Sequence, residues 1–417
     1  MTELASTPRL RIGFIGSGLI AQFHLSALES VRDVDLIGVF SPTPAHREHL
    51  ATMAKAAGLG PCVAYDSLDA LLQAPGLDAV WVLAPNHTRV AMIDQIVDAV
   101  AAGDSSIKAL ACEKPLARSV SEAQRILDKV KASGLLHGYL ENQVFAPAVT
   151  RGKDVIWRRG VPSAGRPYLA RAAEEHGGPH EPWFWDGHLQ GGGVLSDMMC
   201  HSVEVGRYLL TGPDEPRSAL TLVSANATVA NLKWTQPRYA RELRENMGIG
   251  YDYRQFPAED FARGTLEYDD PDGQRLIVEV STSWSFVGAG LRIALELQGP
   301  EYAMQFDSLQ HRVSVFLSRN VTGEQGEDLV EKQNSEQGLM PIAEDEPHLY
   351  GYVAENRHMV QRFLAGRAPD LTFDDGADVV RTLMALYRSA ELGQTVKVAE
   401  EDLSDYVPPV AREPRPG

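Results

Sequence analysis

The stretch from Leu10 to Leu28 constrains this chain's fold more than any other. A short apolar run, Leu10 to Ile15, enters Gly16-Ser17-Gly18-Leu19-Ile20-Ala21, and helical spacing follows through Phe23, Ala27 and Leu28. Strand, glycine turn and helix in that order give G-x-G-x-x-A a mechanism. Gly16 permits the tight turn, Gly18 lets backbone approach a pyrophosphate, and the small Ala21 lets helix pack on strand. The phosphates then meet the helix N-terminus at Leu19 and Ile20. A plain turn is the alternative reading, and the flanking strand and helix weigh against it.

The alternation continues. Strand signals at Asp35–Phe40, Leu77–Leu83, Ile107–Cys112 and Leu135–Leu140 alternate with helical patterns at 88–102 and 119–131. This predicts a Rossmann-type, doubly wound parallel sheet whose ligands sit at the strands' carboxyl ends. Ala84-Pro85-Asn86-His87 and Glu113-Lys114-Pro115 fall there, so Pro85, Asn86, Glu113 and Pro115 are candidate cofactor contacts, with Asn142 after the last strand. The second strand ends at Ser41 without the acidic residue that would bind the ribose of NAD. Ser41 with His46 and Arg47 suits a 2'-phosphate, serine also suits NAD, and Arg47 is equally readable as a solvated helix residue. The cofactor is NAD or NADP.

A chain of 417 residues exceeds one ordinary core. The boundaries read as a cofactor domain over 1–146, a substrate and oligomerisation domain over 147–405, and a loose proline-rich tail over 406–417. The second domain carries strand-like runs at 219–229, 262–268, 276–284, 291–298, 302–306 and 313–317, which predict an α/β domain on a large, mostly antiparallel sheet. Between its first two strands, 231–260 is long for a connection. Its arginines suit an anionic group or, more simply, a solvated face. Residues 324–346 read as an exposed acidic connection, and 349–364 and 376–392 as amphipathic helices.

A net charge of -17 without a basic cluster argues against nucleic acid. Cys62, Cys112 and Cys200 lack disulfide or zinc spacing and read as reduced thiols. No leader or membrane-length apolar segment is present, so the expected setting is cytoplasmic, with a small-molecule partner and no metal.

Gly191-Gly192-Gly193 opens a helical run through Leu210, which places Asp197 and His201 on one helical face near its start. A carboxylate and an imidazole so placed suit proton transfer. The plainer reading makes Asp197 a helix-start support and His201 a buried, satisfied histidine. Upstream, Trp183, Trp185 and His188 stand in a segment rich in glycine, histidine and tryptophan. Such rings stack on sugar faces, or else plug a core, and both readings stand.

Gly16 to Ala21, Pro85-Asn86, Glu113-Lys114-Pro115, and Gly191 to Gly193 with Asp197 and His201 together make the chain resemble the Gfo/Idh/MocA oxidoreductases, which include inositol dehydrogenases and glucose-fructose oxidoreductase. The resemblance covers most of the chain. It implies that Lys114 contacts a substrate hydroxyl, that Pro115 shapes the nicotinamide site, and that His201, paired with Asp197, is the general acid/base. Trp183, Trp185 and His188 complete the expected substrate contacts, with Lys114, Asp197 and His201. The implied substrate is a sugar, glycoside or cyclitol, and the implied assembly a homo-oligomer, dimer or tetramer, through the second domain's open sheet face. An oxidoreductive glycosidase that retains its cofactor and a non-catalytic cofactor-binding regulator are the alternatives. The chain departs from the family pattern at His87 and Arg89, and at Glu141-Asn142-Gln143, where an Arg-Phe pair often follows the asparagine.

Overall fold

In the computed structural model, which describes residues 8–310, 314–317, 338–341 and 345–413, the chain divides into two compact units. The first takes the chain up to Ala117, with Ser121–Ala146 and Pro347–Asp378. The second takes Arg118–Val120, Pro147–Glu346 and the chain from Val379. This corrects the domain reading of 147–405 as one block, because residues 347–378 cluster with the first unit. The reason is an apolar face: Met359, Val360 and Phe363 on the helix Tyr352–Leu364 join the core built on Ile12, Phe14 and Trp81. Burying a side chain such as Phe363 contributes roughly 1.5–3 kcal/mol.

The first unit holds β1 (Leu10–Ile15), β2 (Val34–Phe40), β3 (Val63–Tyr65), β4 (Ala79–Val82), β5 (Ala109–Glu113) and β6 (Leu136–Leu140) in one parallel sheet, order β3-β2-β1-β4-β5-β6. β4 is buried throughout, as a strand covered on both faces must be. The order reverses between β1 and β4. That switch point opens a crevice at the strands' carboxyl ends, where Gly16, Ala84 and Lys114 stand.

The second unit is built on β7 (Leu169–Glu175), β8 (Thr221–Ala230), β9 (Phe261–Asp269), β10 (Arg275–Ser283), β11 (Arg292–Gly299) and β12 (Tyr302–Asp307). A small ladder of β13 (Ser314–Leu317) with β14 (Gly338–Pro341) follows, then β15 (Val396–Lys397). The large sheet runs β12-β11-β7-β10-β9-β8-β15, and every pair in it is antiparallel except β7 with β10. The helix Val194–Leu210 lies on β7, β9 and β10, and every residue in it except Tyr208 is buried.

Several local readings are corrected. β7 lies ahead of the strand-like runs read for this domain, the first of which is 219–229. The 231–260 connection contains the helix Pro237–Met247, which buries only Ala240 and Leu243 and leaves Arg238 exposed in a pair with Glu242. The tail is not loose as far as residue 413: Ala411 is buried, and Gly187 has no room for a Cβ beside the Val410 carbonyl. The reading of 324–346 as exposed falls mostly outside the described residues. Among those residues no helix is long and apolar enough to cross a membrane.

Candidate active site

In the first unit, Gly16 adopts a positive φ of 119°, and a Cβ there would meet the Leu83 carbonyl oxygen at 2.5 Å, so only glycine turns here. A Cβ on Gly18 would meet nothing within 4 Å, and no side chain caps the helix Leu19–Leu28 that starts beside it. An open backbone approach onto an uncapped helix start fits a pyrophosphate. Arg47 sends Nη1 3.0 Å to the carbonyl of Ser41, so part of its guanidinium already holds the exit of β2. Asn86 is buried in the short helix Asn86–Thr88 after Pro85. Asn142 is buried too, and its Nδ2 donates to the Tyr350 carbonyl at 2.8 Å.

Glu113 was expected on the cofactor, yet its carboxylate is buried and engaged within the protein. Oε2 accepts from the N–H of Lys114 at 2.9 Å and Oε1 from His24 Nε2 at 2.9 Å. The network extends beyond His24. Trp81 Nε1 can only donate and meets Asn356 Oδ1 at 3.1 Å. Asn356 Nδ2 therefore faces the Tyr352 carbonyl at 2.8 Å and His24 Nδ1 at 2.9 Å. His24 Nε2 faces Glu113, and its Nδ1 lies near both atoms of the Asn356 amide. Burial works against the charge of Glu113, but the His24 bond, then Lys114 and Arg89, hold its carboxyl below the usual value. The Lys114–Pro115 peptide is cis.

Arg89, a departure from the family pattern, proves structural. Its buried guanidinium donates through Nε to the Ala84 carbonyl at 2.9 Å and through Nη1 to the carbonyls of Glu113, at 2.6 Å, and Pro115. One side chain thus ties the exit of β4 to the Glu113-Lys114-Pro115 turn. Nothing in the sequence separates such an arginine from a solvated one at a helix start.

In the second unit, the glycines before Val194 are packed tightly against the protein itself. A Cβ on Gly192 would lie 2.1 Å from the Tyr387 hydroxyl, and one on Gly193 2.5 Å from the Glu259 carbonyl. Glu259 Oε1 accepts from Gly193 N at 2.9 Å and Leu195 N at 3.3 Å. The Tyr387 oxygen accepts from Gly193 N at 3.0 Å and Ser196 N at 3.2 Å. These two side chains cap the helix that carries Asp197 and His201. Burial raises the pKa of the Glu259 carboxyl despite the bonds it accepts.

Asp197 is buried, and its Oδ2 accepts from Trp284 Nε1 at 3.2 Å. His201 is buried as well, and its Nε2 lies 3.8 Å from Oε2 of Glu174, a carboxylate the sequence reading missed. The predicted helical face is therefore real, and it is polar. Cys200 is buried with Cys62 and Cys112, all three as free thiols.

The aromatic segment divides. Trp185 is 1% exposed, donates Nε1 to the Pro179 carbonyl at 3.1 Å, and packs with Trp234, Tyr253 and Trp284. It is a core residue, which corrects its assignment as a substrate contact. Trp183 is half-buried and stacks on Phe184 with centroids 3.8 Å apart. His188 is tied through Nδ1 to the Ala411 carbonyl, 3.1 Å away.

A switch-point sheet with an uncapped glycine turn and a lysine at a strand exit, carried in one chain with a buried Asp-His pair, is the equipment of a nicotinamide-dependent oxidoreductase. The comparisons with known proteins agree. Residues 10–139 match the oxidoreductase family with an NAD-binding Rossmann fold, and residues 163–301 match the GFO/IDH/MocA C-terminal domain. The chain belongs to the Gfo/Idh/MocA oxidoreductase family. It is 28% identical over 214 residues to 1,5-anhydro-D-fructose reductase of Ensifer adhaerens, a match that covers 51% of this chain and only 59% of that protein. With D-glucoside 3-dehydrogenase of Escherichia coli it shares 25% identity over 403 residues, 95% of this chain and 99% of the relative. The crystal structure of GenD2 from gentamicin A biosynthesis, in complex with NAD, superposes with a TM-score of 0.73 at 25% identity, covering 94% of this chain and 97% of that one.

Proposed function

We propose that this chain is a dehydrogenase acting on a secondary hydroxyl of a sugar, glycoside or cyclitol. The observation that carries the reading is the buried pair of Asp197, held by Trp284, and His201 on a helix whose start is capped by Glu259 and Tyr387. The match to D-glucoside 3-dehydrogenase over nearly its whole length supports the substrate class. Gly16, Gly18, Leu19 and Ile20 would hold the cofactor's pyrophosphate, Ser41 and Arg47 its ribose, and Pro85, Asn86, Pro115 and Asn142 the rest of its length. Bound NAD supplies the acceptor for the hydride.

The protein's part is proton handling. Oxidation breaks the hydroxyl O–H and the carbinol C–H bonds and forms a carbonyl, so the hydroxyl proton needs a base. His201 accepts it, Asp197 steadies the imidazole, and Lys114 stabilises the developing alkoxide. Trp183 and His188 are further substrate contacts in this reading. The outer face of the second unit's sheet, where Arg171 pairs with Glu279 and Glu296 and Arg292 with Glu175 and Asp307, lines a trough of about 700 Å³ and serves as the contact of a homo-oligomer.

The test is to incubate purified protein with NAD or NADP and a panel of sugars, inositols and aryl glycosides, following nicotinamide absorbance and product mass together. A keto product with absorbance change, abolished in Lys114→Ala and His201→Ala, supports the reading. Aglycone release without net absorbance change favours the oxidoreductive glycosidase. Cofactor binding without any turnover favours the regulator. Light scattering reports the assembly.

A further inference from the structure

β7 reads Leu-Ala-Arg-Ala-Ala-Glu-Glu, and strand alternation places Ala170, Ala172 and Glu174 on its buried face. That face is the one the helix Val194–Leu210 covers. Two alanines make room for close helix packing, and the third position of the row is a carboxylate. Glu174 is 6% exposed, His201 is 4% exposed, and Oε2 stands 3.8 Å from Nε2. In register, Glu174 lies between Thr282 on β10 and Ile293 on β11. The Thr282 hydroxyl is fully buried and has no hydrogen-bond partner among the described residues. The sheet thus turns polar under the part of the helix that carries His201.

We propose that Glu174 is the positioning residue that sets the charge of His201, a second carboxylate besides Asp197. This rests on the reading of His201 as the base of the dehydrogenase. A carboxylate and an imidazolium 3.8 Å apart out of water attract strongly, so the charged form of His201 that appears when it takes the substrate's proton is favoured. Asp197 accepts from Trp284 through Oδ2, and Glu174 Oε2 stands 3.8 Å from His201 Nε2.

At the start of this helix stand Glu259 and Tyr387, which cap it. β10 and the residue after it bring Thr282 and Trp284, and β9 brings Tyr268. The helix Pro147–Val155 brings Lys153, whose Nζ is bound to the Tyr208 carbonyl further along. On the helix itself, Cys200 bonds the Asp197 carbonyl and Glu204 pairs with Arg207 and Arg217.

The experiment is a titration of His201 by NMR in the full-length protein with ¹³C-labelled histidine, its signal identified among the twelve histidines by its loss in His201→Asn. In Glu174→Gln the His201 midpoint falls by about one pH unit or more, because the neutral amide no longer favours the charged ring. Glu174→Asp, which keeps the charge but withdraws it by one methylene, gives an intermediate midpoint and serves if the Gln variant does not fold. In oxidation the base must be neutral, so the acid limb of kcat/KM moves to lower pH in Glu174→Gln by the same amount, while kcat falls about tenfold. A His201 midpoint unmoved in folded Glu174→Gln overturns the proposal, as does a shifted midpoint with an unmoved acid limb. A shifted midpoint in a protein that oxidises no substrate of the panel upholds the pairing and counts against the dehydrogenase reading alone.

Discussion

Arg89 donates to the Glu113 carbonyl at 2.6 Å, and with it binds the turn that ends in Lys114 and Pro115. Because the same guanidinium holds the Ala84 carbonyl, the exits of β4 and β5 keep a fixed spacing. The cofactor edge of the sheet is therefore braced by a side chain that touches neither substrate nor cofactor in the proposed reading. Arg89→Ala leaves three carbonyls without their donor and frees the Lys114 turn. The expected result is a fall in kcat/KM of about 100-fold, the scale of a small misplacement of reacting groups. Arg89→Lys keeps the charge but loses the fork, and recovers only part of the loss. Steady-state kinetics with a thermal melt separates this from unfolding, and unchanged kcat/KM in a folded Arg89→Ala counts against the bracing role.

Tyr387 donates to Glu259 and accepts from two N–H groups at the start of the helix Val194–Leu210. Tyr387→Phe removes an oxygen that serves three partners, all buried. Leaving buried polar groups unsatisfied costs about 1–3 kcal/mol, so a clear drop in Tm is expected. Because the capped helix carries Asp197 and His201, kcat should fall as well, with the cofactor Kd unchanged. Calorimetry and cofactor titration check both, and an unchanged Tm would remove the tyrosine from the cap.

Much of the fold was legible because its signals are local. The strand, glycine turn and helix at 10–28 are adjacent in sequence, and the Asp197-His201 spacing is a property of one helix. What escaped depends on distant partners or weak periodicity. β7 has three alanines and two glutamates where a strand is usually recognised by branched or aromatic residues, so Glu174 escaped with it. The helix Pro237–Met247 is short, and its narrow apolar stripe of Ala240, Leu243 and Met247 is set among arginines and glutamates, so within a long connection it reads as loop. That Trp185 fills a core depends on Trp234, Tyr253 and Trp284, up to 99 positions away, and no spacing within its own segment encodes that.

Glu355 is fully buried beneath the first unit's sheet, and neither carboxyl oxygen has a hydrogen-bond partner among the described residues. Burial first, then the charges of Glu113 and Glu141, push its carboxyl well above the usual value, so the folded protein holds that proton to higher pH than the unfolded chain does. The unfolded chain ionises it near pH 4. Its contribution to stability is thus complete below about pH 4 and is lost as pH rises towards the folded value, by up to roughly 1.4 kcal/mol per unit. Glu355→Leu removes that loss. Its Tm relative to the parent should climb between pH 4 and pH 7, and a difference independent of pH would contradict a protonated Glu355.

Lys153 tests the opposite sign. Its Nζ lies 2.6 Å from the Tyr208 carbonyl and 3.6 Å from the centre of the Tyr208 ring, and the residue is only 6% exposed. Burial, with Arg217 adding to it and Glu204 and Glu215 opposing, pushes the amine down to about 7. The unfolded chain keeps that proton to about pH 10. Between these values the unfolded state binds more protons than the folded one, so stability rises with pH. Below pH 7 the buried charge is retained and its desolvation weighs fully on the fold. Lys153→Met, close in length and without charge, should be more stable than the parent at pH 6, by on the order of 2 kcal/mol after the lost carbonyl bond is allowed for. That advantage should shrink steadily towards pH 10. Urea unfolding of both proteins at pH 6, 8 and 10 measures it directly. A constant difference across the three would mean that Lys153 keeps an ordinary pKa, and that its bond to Tyr208 and the neighbouring glutamates already balance the cost of burying its charge.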